Sequence, residues 1–167
     1  KVDLILAGEF MPITVLENTG STFENRTETL GLSETTGLWN SIAVADFDND
    51  GDTDFVAGNI GLNTVLNSGQ NKALKVDYAD FDNNKRTETI LATEKDGAYY
   101  TVANFDELSE QLVSIMRKKF TDYKSFAGKN IEEVFGEKLL NNATLLEVHT
   151  LTSGWLENEN GKFKFHA

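Results

Sequence analysis

Residues 46–54 read Asp-Phe-Asp-Asn-Asp-Gly-Asp-Thr-Asp, with five carboxylates in nine residues. Groups this dense repel one another unless a cation gathers them. Calcium is a hard ion that takes about six to eight oxygen ligands at roughly 2.3–2.6 Å, and a tight loop offers them from alternating residues. Asp46, Asp48 and Asp50 stand at loop positions 1, 3 and 5, where their side chains converge on one centre. Gly51 at position 6 permits the positive-φ turn that brings the chain back. Asp52 offers its backbone carbonyl from position 7, and Asp54 closes the cage from position 9. The plainer alternative is a solvated acidic turn. Spacing, glycine and flanks together favour Ca²⁺.

A second run follows 34 residues later: Asp-Phe-Asp-Asn-Asn-Lys-Arg-Thr-Glu at 80–88. Asp80, Asp82 and Asn84 hold positions 1, 3 and 5, Arg86 holds position 7 and Glu88 position 9. Lys85 replaces the glycine, and a positive φ at a residue with a Cβ costs about 1–2 kcal/mol. Asn84 also removes one charge. This loop is expected to bind Ca²⁺ more weakly, or to keep the turn without the metal.

The flanks distinguish the kind of calcium loop. An EF-hand loop lies between helices and ends in Glu at position 12. Here position 12 of the first loop is Ala57, and short apolar runs on both sides (Trp39 to Ala45, Phe55 to Gly58) read as the strands of a hairpin.

The stretch Ile42-Ala-Val-Ala-Asp-Phe-Asp-Asn-Asp-Gly-Asp-Thr-Asp-Phe-Val-Ala-Gly58 resembles an FG-GAP (VCBS-type) repeat, the blade unit of integrin-α-like β-propellers. The likeness is fullest over 37–63, fainter over 1–30, 74–94 and 150–166, and does not extend over 104–142. It implies a mainly β fold of antiparallel propeller-type blades, two to three of them in an incomplete ring, with Ca²⁺ held between the first two strands of a blade. It also implies a secreted or surface protein of bacterial type, in an extracellular, cell-surface or periplasmic setting. The family's usual role implies a non-enzymatic module that meets a protein or glycan through its loops. The alternative is an accessory propeller scaffold of a polysaccharide-processing enzyme.

The elements that must position these loops follow from periodicity. Val2-Asp-Leu-Ile-Leu-Ala-Gly8 parallels Thr53-Asp-Phe-Val-Ala-Gly58, so Asp3 reads as position 9 of an earlier loop, and the chain, opening without Met, reads as a piece of a longer secreted protein. Thr14 to Phe23 resembles Gly154 to Phe163 as a strand–turn–strand unit. Phe105, Leu108, Leu112, Met116 and Phe120 recur at helical spacing. Asn104 with Glu107 and Asn130 with Glu133 make capping pairs, and Gly128 and Gly136 read as helix stops. The expected layout is blades over 1–103, an insertion of two to four helices over 104–142, and return strands of the last blade over 143–167. An open arc leaves strand edges bare, which points to missing chain or to self-association.

Composition narrows the function classes. A net charge of −12 opposes nucleic-acid or anionic-membrane binding, and no apolar run is long enough for membrane insertion. The absence of Cys excludes disulfides and thiolate chemistry, and two His make a zinc site a poor fit. His149 reads as a strand-face residue. No Gly-x-Ser-x-Gly motif accompanies it. Arg117, Lys118, Lys119, Lys124 and Lys129 read as a solvated helix end, with a docking patch as the alternative. Trp39 and Trp155 read as blade packing rather than sugar platforms.

Overall fold

The computed structural model describes residues 1–66 and 73–167. Among them the chain is mainly β: twelve strands and five short helices. The strands are β1 (Leu4–Leu6), β2 (Glu9–Met11), β3 (Thr14–Asn18), β4 (Phe23–Asn25), β5 (Gly37–Ala45), β6 (Asp54–Asn59), β7 (Leu74–Ala79), β8 (Glu88–Lys95) and β9 (Ala98–Thr101). Then come α1 (Phe105–Gln111), α2 (Val113–Lys119), α3 (Tyr123–Phe126), α4 (Ile131–Phe135) and α5 (Glu137–Asn141), followed by β10 (Thr144–Val148), β11 (Gly154–Asn158) and β12 (Phe163–His166). They form two compact units: Lys1–Gln70 with Val148–Ala167, and Asn71–Glu147.

The first unit holds two antiparallel sheets, a three-stranded one in the order β1-β3-β4 and a five-stranded one in the order β12-β11-β6-β5-β2. Ile13, Leu32, Trp39, Phe55, Ala57 and Leu156 are buried together, with Val15, Phe163 and Phe165 packed against them. Trp39 is 2% exposed and its indole N–H donates to the Thr35 carbonyl at 2.7 Å, so it is a packing residue whose polar atom is satisfied. Phe55 stacks on Phe163 with ring centroids 4.4 Å apart. The β11–β12 hairpin turns at Asn160 (φ 56°) and Gly161 (φ 81°). Two consecutive positive-φ residues are what a two-residue hairpin turn demands, and Asn-Gly meets that need.

The second unit is one sheet, in the order β10-β7-β8-β9, with the helices packed on it. The helical stripe is buried: Leu108 is 1%, Leu112 and Met116 are 0%, and Phe120 is 6% exposed. It joins Phe81, Ile90 and Ala92 of the loop and sheet, and Ile131, Val134 and Phe135 of α4. Asn104 and Asn130 cap α1 and α4 in full capping boxes with Glu107 and Glu133. There are five helices rather than two to four. Leu112 leaves helical geometry between α1 and α2 (φ −125°, ψ 52°), and Gly136 (φ 78°) separates α4 from α5.

The return strands expected over 143–167 do not all join one sheet. β10 pairs with β7, as expected of the last blade, whereas β11 pairs with β6 (Leu156 opposite Phe55) and β12 with β11. The latter two strands complete the sheet begun by β5 and β6, because Leu156 and Phe163 supply the apolar side chains that cover Phe55. The sheet of the second unit is completed instead by β9 and β10. Nor is His149 on a strand: it follows β10, is exposed, and its backbone N–H donates to the Thr36 carbonyl at 3.0 Å.

Candidate metal-binding loops

Both acidic runs fold as hairpin loops, 46–54 between β5 and β6 and 80–88 between β7 and β8. Their backbones match position by position. Position 4 has positive φ in each (Asn49 64°, Asn83 60°), and so has position 6 (Gly51 97°, Lys85 69°). Lys85 therefore takes the left-handed geometry that glycine takes in the first loop.

The hydrogen bonds repeat as well. Asp46 accepts from the N–H groups of Asp50 (3.2 Å) and Gly51 (3.1 Å). Asp80 accepts from those of Asn84 (2.9 Å) and Lys85 (2.8 Å). Asp50 accepts from Asp52 N–H at 3.0 Å, as Asn84 does from Arg86 N–H at 2.7 Å. At position 9, Asp54 accepts from Phe47 N–H (3.0 Å) and Glu88 from Phe81 N–H (3.1 Å). The first carboxylate of each loop thus folds the turn and leaves lone pairs free, since an ionised carboxylate has about four acceptor sites.

The side chains converge. Asp46, Asp48 and Asp50 each bring a carboxylate oxygen within 4.8 Å of the others, and so do Asp80, Asp82 and Glu88. Asp54 lies outside the first trio, whereas its counterpart Glu88 belongs to the second. Asp54 is fully buried, and its other oxygen accepts from Asn158 N–H at 2.8 Å. In the second loop, Ser114 of α2 donates to Asp82 at 3.1 Å, and the Asn84 amide approaches Glu88 at 3.4 Å.

Electrostatics shows the cost of this convergence. Partial desolvation raises the carboxyl pKa of Asp48 and of Asp52, and neighbouring carboxylates push the same way. The Asn158 N–H holds the Asp54 carboxyl below its ordinary value, with help from Phe47 N–H. Asp52 and Asp82 each bury one carboxylate oxygen that has no hydrogen-bond partner. Crowded, all-oxygen donors with buried unpartnered atoms fit a hard divalent cation of the Ca²⁺ kind.

A third cluster was missed by sequence reasoning: Glu157, Glu159 and His166 on the β11–β12 hairpin. Cross-strand alternation, which places Glu157 opposite Lys164, was the available signal. Its carboxylates already have partners, Glu157 with His166 at 2.7 Å and Glu159 with Lys164 at 3.0 Å. Trp155 is half-buried and stacks on His166 at 5.2 Å, with its indole nitrogen turned away from solvent.

A family model described as FG-GAP-like repeat matches residues 1–57. The chain carries an FG-GAP-like repeat. The match takes in β1 to β5, the first acidic loop and most of β6, and the antiparallel sheets agree with incomplete propeller-like blades of that repeat. Neither a curated protein nor a solved structure matches the chain. Among the described residues, no helix is long and apolar enough to cross a membrane.

The basic residues fall as follows. Arg117, Lys118 and Lys119 form the last turn of α2 and are exposed. Lys119 donates to the Val134 carbonyl at 3.0 Å, and Lys129 pairs with Glu133 at 2.7 Å. Cations at a helix C-terminus with local partners are what the helix dipole favours.

Proposed function

We propose that this chain is a Ca²⁺-stabilised, propeller-type interaction module of a secreted or cell-surface protein, non-enzymatic, meeting a protein or glycan through its loops. FG-GAP-like repeats are interaction modules rather than catalysts, and they typically belong to extracellular or surface proteins. The observation that carries the calcium reading is the repetition. Two loops of different sequence reproduce one backbone turn and one hydrogen-bond pattern, and each gathers three carboxylates within 4.8 Å. In the first loop Asp46, Asp48 and Asp50 are the side-chain ligands, joined by the Asp52 carbonyl and by Asp54. In the second they are Asp80, Asp82, Asn84 and Glu88, joined by the Arg86 carbonyl. The ion's role is structural: it neutralises carboxylates that the fold has already crowded.

The test is thermal unfolding with Ca²⁺ or a chelator, together with calorimetric titration. Extracellular Ca²⁺ modules bind at about 10⁻⁴–10⁻³ M. At about 10 mM Ca²⁺ such a site stabilises by roughly 1.4–2.7 kcal/mol, a rise of several degrees in Tm. Asp48→Ala is expected to remove most of that rise. Chelator-treated wild type that melts where the Ca²⁺-treated protein does, with no heat of binding at millimolar Ca²⁺, would refute the reading.

A further inference from the structure

Asp54 differs from every other carboxylate of its loop. It is fully buried, and each of its two oxygens holds a backbone N–H: Phe47 inside the loop at 3.0 Å, and Asn158 at 2.8 Å. Asn158 lies 104 residues downstream, at the end of β11. The β6–β11 ladder is short, with Gly154, Trp155 and Leu156 set opposite Ala57, Val56 and Phe55. Asn158 is the next residue of β11 whose N–H faces β6, because Glu159 and Lys162 close the β11–β12 turn between themselves. Where the ladder ends, the Asp54 side chain replaces the missing backbone acceptor. Glu88, at the same loop position in the second unit, accepts instead from Phe81 N–H and the Asn84 side chain within its own loop.

We propose that Asp54 is a positioning residue that couples cation binding at the first loop to docking of the β11–β12 hairpin, so that Ca²⁺ locks the strand that completes the interrupted sheet. This rests on the calcium reading of that loop. Bringing β11 back to β6 across so long a separation carries a loop-closure cost, and the three-pair ladder offers few bonds against it. A cation gathered by Asp46, Asp48 and Asp50 fixes the loop, the fixed loop fixes Phe47 N–H, and Phe47 N–H orients the Asp54 carboxylate toward Asn158. Each carboxylate oxygen has a second lone pair, so Asp54 can face the ion while holding both N–H groups. Linkage then requires reciprocity: the factor by which the ion favours the docked hairpin is the factor by which the docked hairpin strengthens the ion.

The experiment uses the full chain carrying Asp82→Ala, so that only the first loop responds, and reads hydrogen exchange of residues 154–166 with and without Ca²⁺ beside calorimetric Ca²⁺ titration. Ca²⁺ is expected to slow exchange over 154–158 about tenfold. Asn158→Pro, which removes the N–H and leaves every carboxylate in place, is expected to abolish that slowing and weaken Ca²⁺ by about the same factor. Asp48→Ala is expected to lose the Ca²⁺ response while keeping the Ca²⁺-free exchange of the parent. If Asn158→Pro does not fold, Asp54→Asn at saturating Ca²⁺ gives the same exchange readout, since an amide can serve only one of the two N–H groups as acceptor. A parent that binds Ca²⁺ with unchanged exchange over 154–166, or an Asn158→Pro protein that binds with parental affinity, overturns the coupling and leaves the calcium reading standing. A parent that binds no Ca²⁺ at millimolar concentration overturns both.

Discussion

At the scale of single residues, the two loops are a natural comparison in which position 6 and net charge vary while the backbone stays the same. Gly51 and Lys85 share the positive-φ geometry, but only Lys85 has a Cβ to strain it, at about 1–2 kcal/mol. The first loop carries five carboxylates with no cation among them, while the second carries three and two cationic side chains, Lys85 and Arg86. Both differences favour Ca²⁺ at 46–54. The structure adds one in the other direction, since Glu88 joins its trio and Asp54 does not. Charge is expected to dominate, because five crowded carboxylates gain more from a divalent ion than three that are partly compensated. Lys85→Gly is therefore expected to raise metal-free stability by about 1 kcal/mol and to strengthen Ca²⁺ at the second loop without altering the first. Two-site calorimetry of the variant and the parent checks this. An unchanged weaker site would show that strain and charge at position 85 do not set its affinity.

At the scale of elements, the same motif meets two environments. The phenylalanine at loop position 2 is 45% exposed as Phe47 and 3% exposed as Phe81. Phe81 packs at 5.7 Å on Phe135 of α4, so the helices provide the cover that Phe47 lacks. The helices themselves were legible in the sequence. Leu108, Leu112, Met116 and Phe120 sit on one stripe, and Asn104 and Asn130 announce their helices through capping boxes, all of it information carried within a few residues. The breaks at Leu112 and Gly136 were less legible, since tertiary packing sets where a short helix ends. Helices of this length have little stability of their own, so the stripe must supply it. Leu112→Ala, at a fully buried position, is expected to cost about 2–5 kcal/mol, and Asn104→Ala about 1 kcal/mol. Urea unfolding of both variants gives the comparison, and a cap variant that costs more than the core variant would reverse this ordering of packing over capping.

At the scale of the whole molecule, what the sequence could not disclose was partnership between distant segments. The likeness of Thr14–Phe23 to Gly154–Phe163 marks β11 and β12 as a strand–turn–strand unit, but similarity does not say which sheet it joins. Adjacency suggested the sheet of the second acidic loop. Pairing of β11 with β6 depends instead on Leu156 reaching the Trp39–Phe55 core and on Asp54 receiving Asn158 N–H, contacts that no local pattern encodes. The consequence is that the unit whose first 57 residues match an FG-GAP-like repeat is interrupted in sequence by another body with its own core. The second unit buries Phe81, Ile90, Leu108, Leu112, Met116 and Val134 among themselves, and its sheet is complete without a strand from the first. A separate buried cluster and a sheet closed on its own strands are what a segment needs to fold as a unit. Residues 71–149 expressed by themselves, with all of β10 included, are expected to unfold cooperatively in urea and to gain stability from Ca²⁺ through Asp80, Asp82 and Glu88. The complementary segment, 1–66, keeps the first acidic loop but lacks β11, β12 and the Asn158 N–H, and is expected to lose cooperative unfolding because Phe55 and Trp39 are uncovered. Circular dichroism melts of the two segments decide the matter. A cooperative 1–66 beside an unfolded 71–149 would place the organising core in the first sheet pair alone and would remove the independence assigned here to the inserted unit.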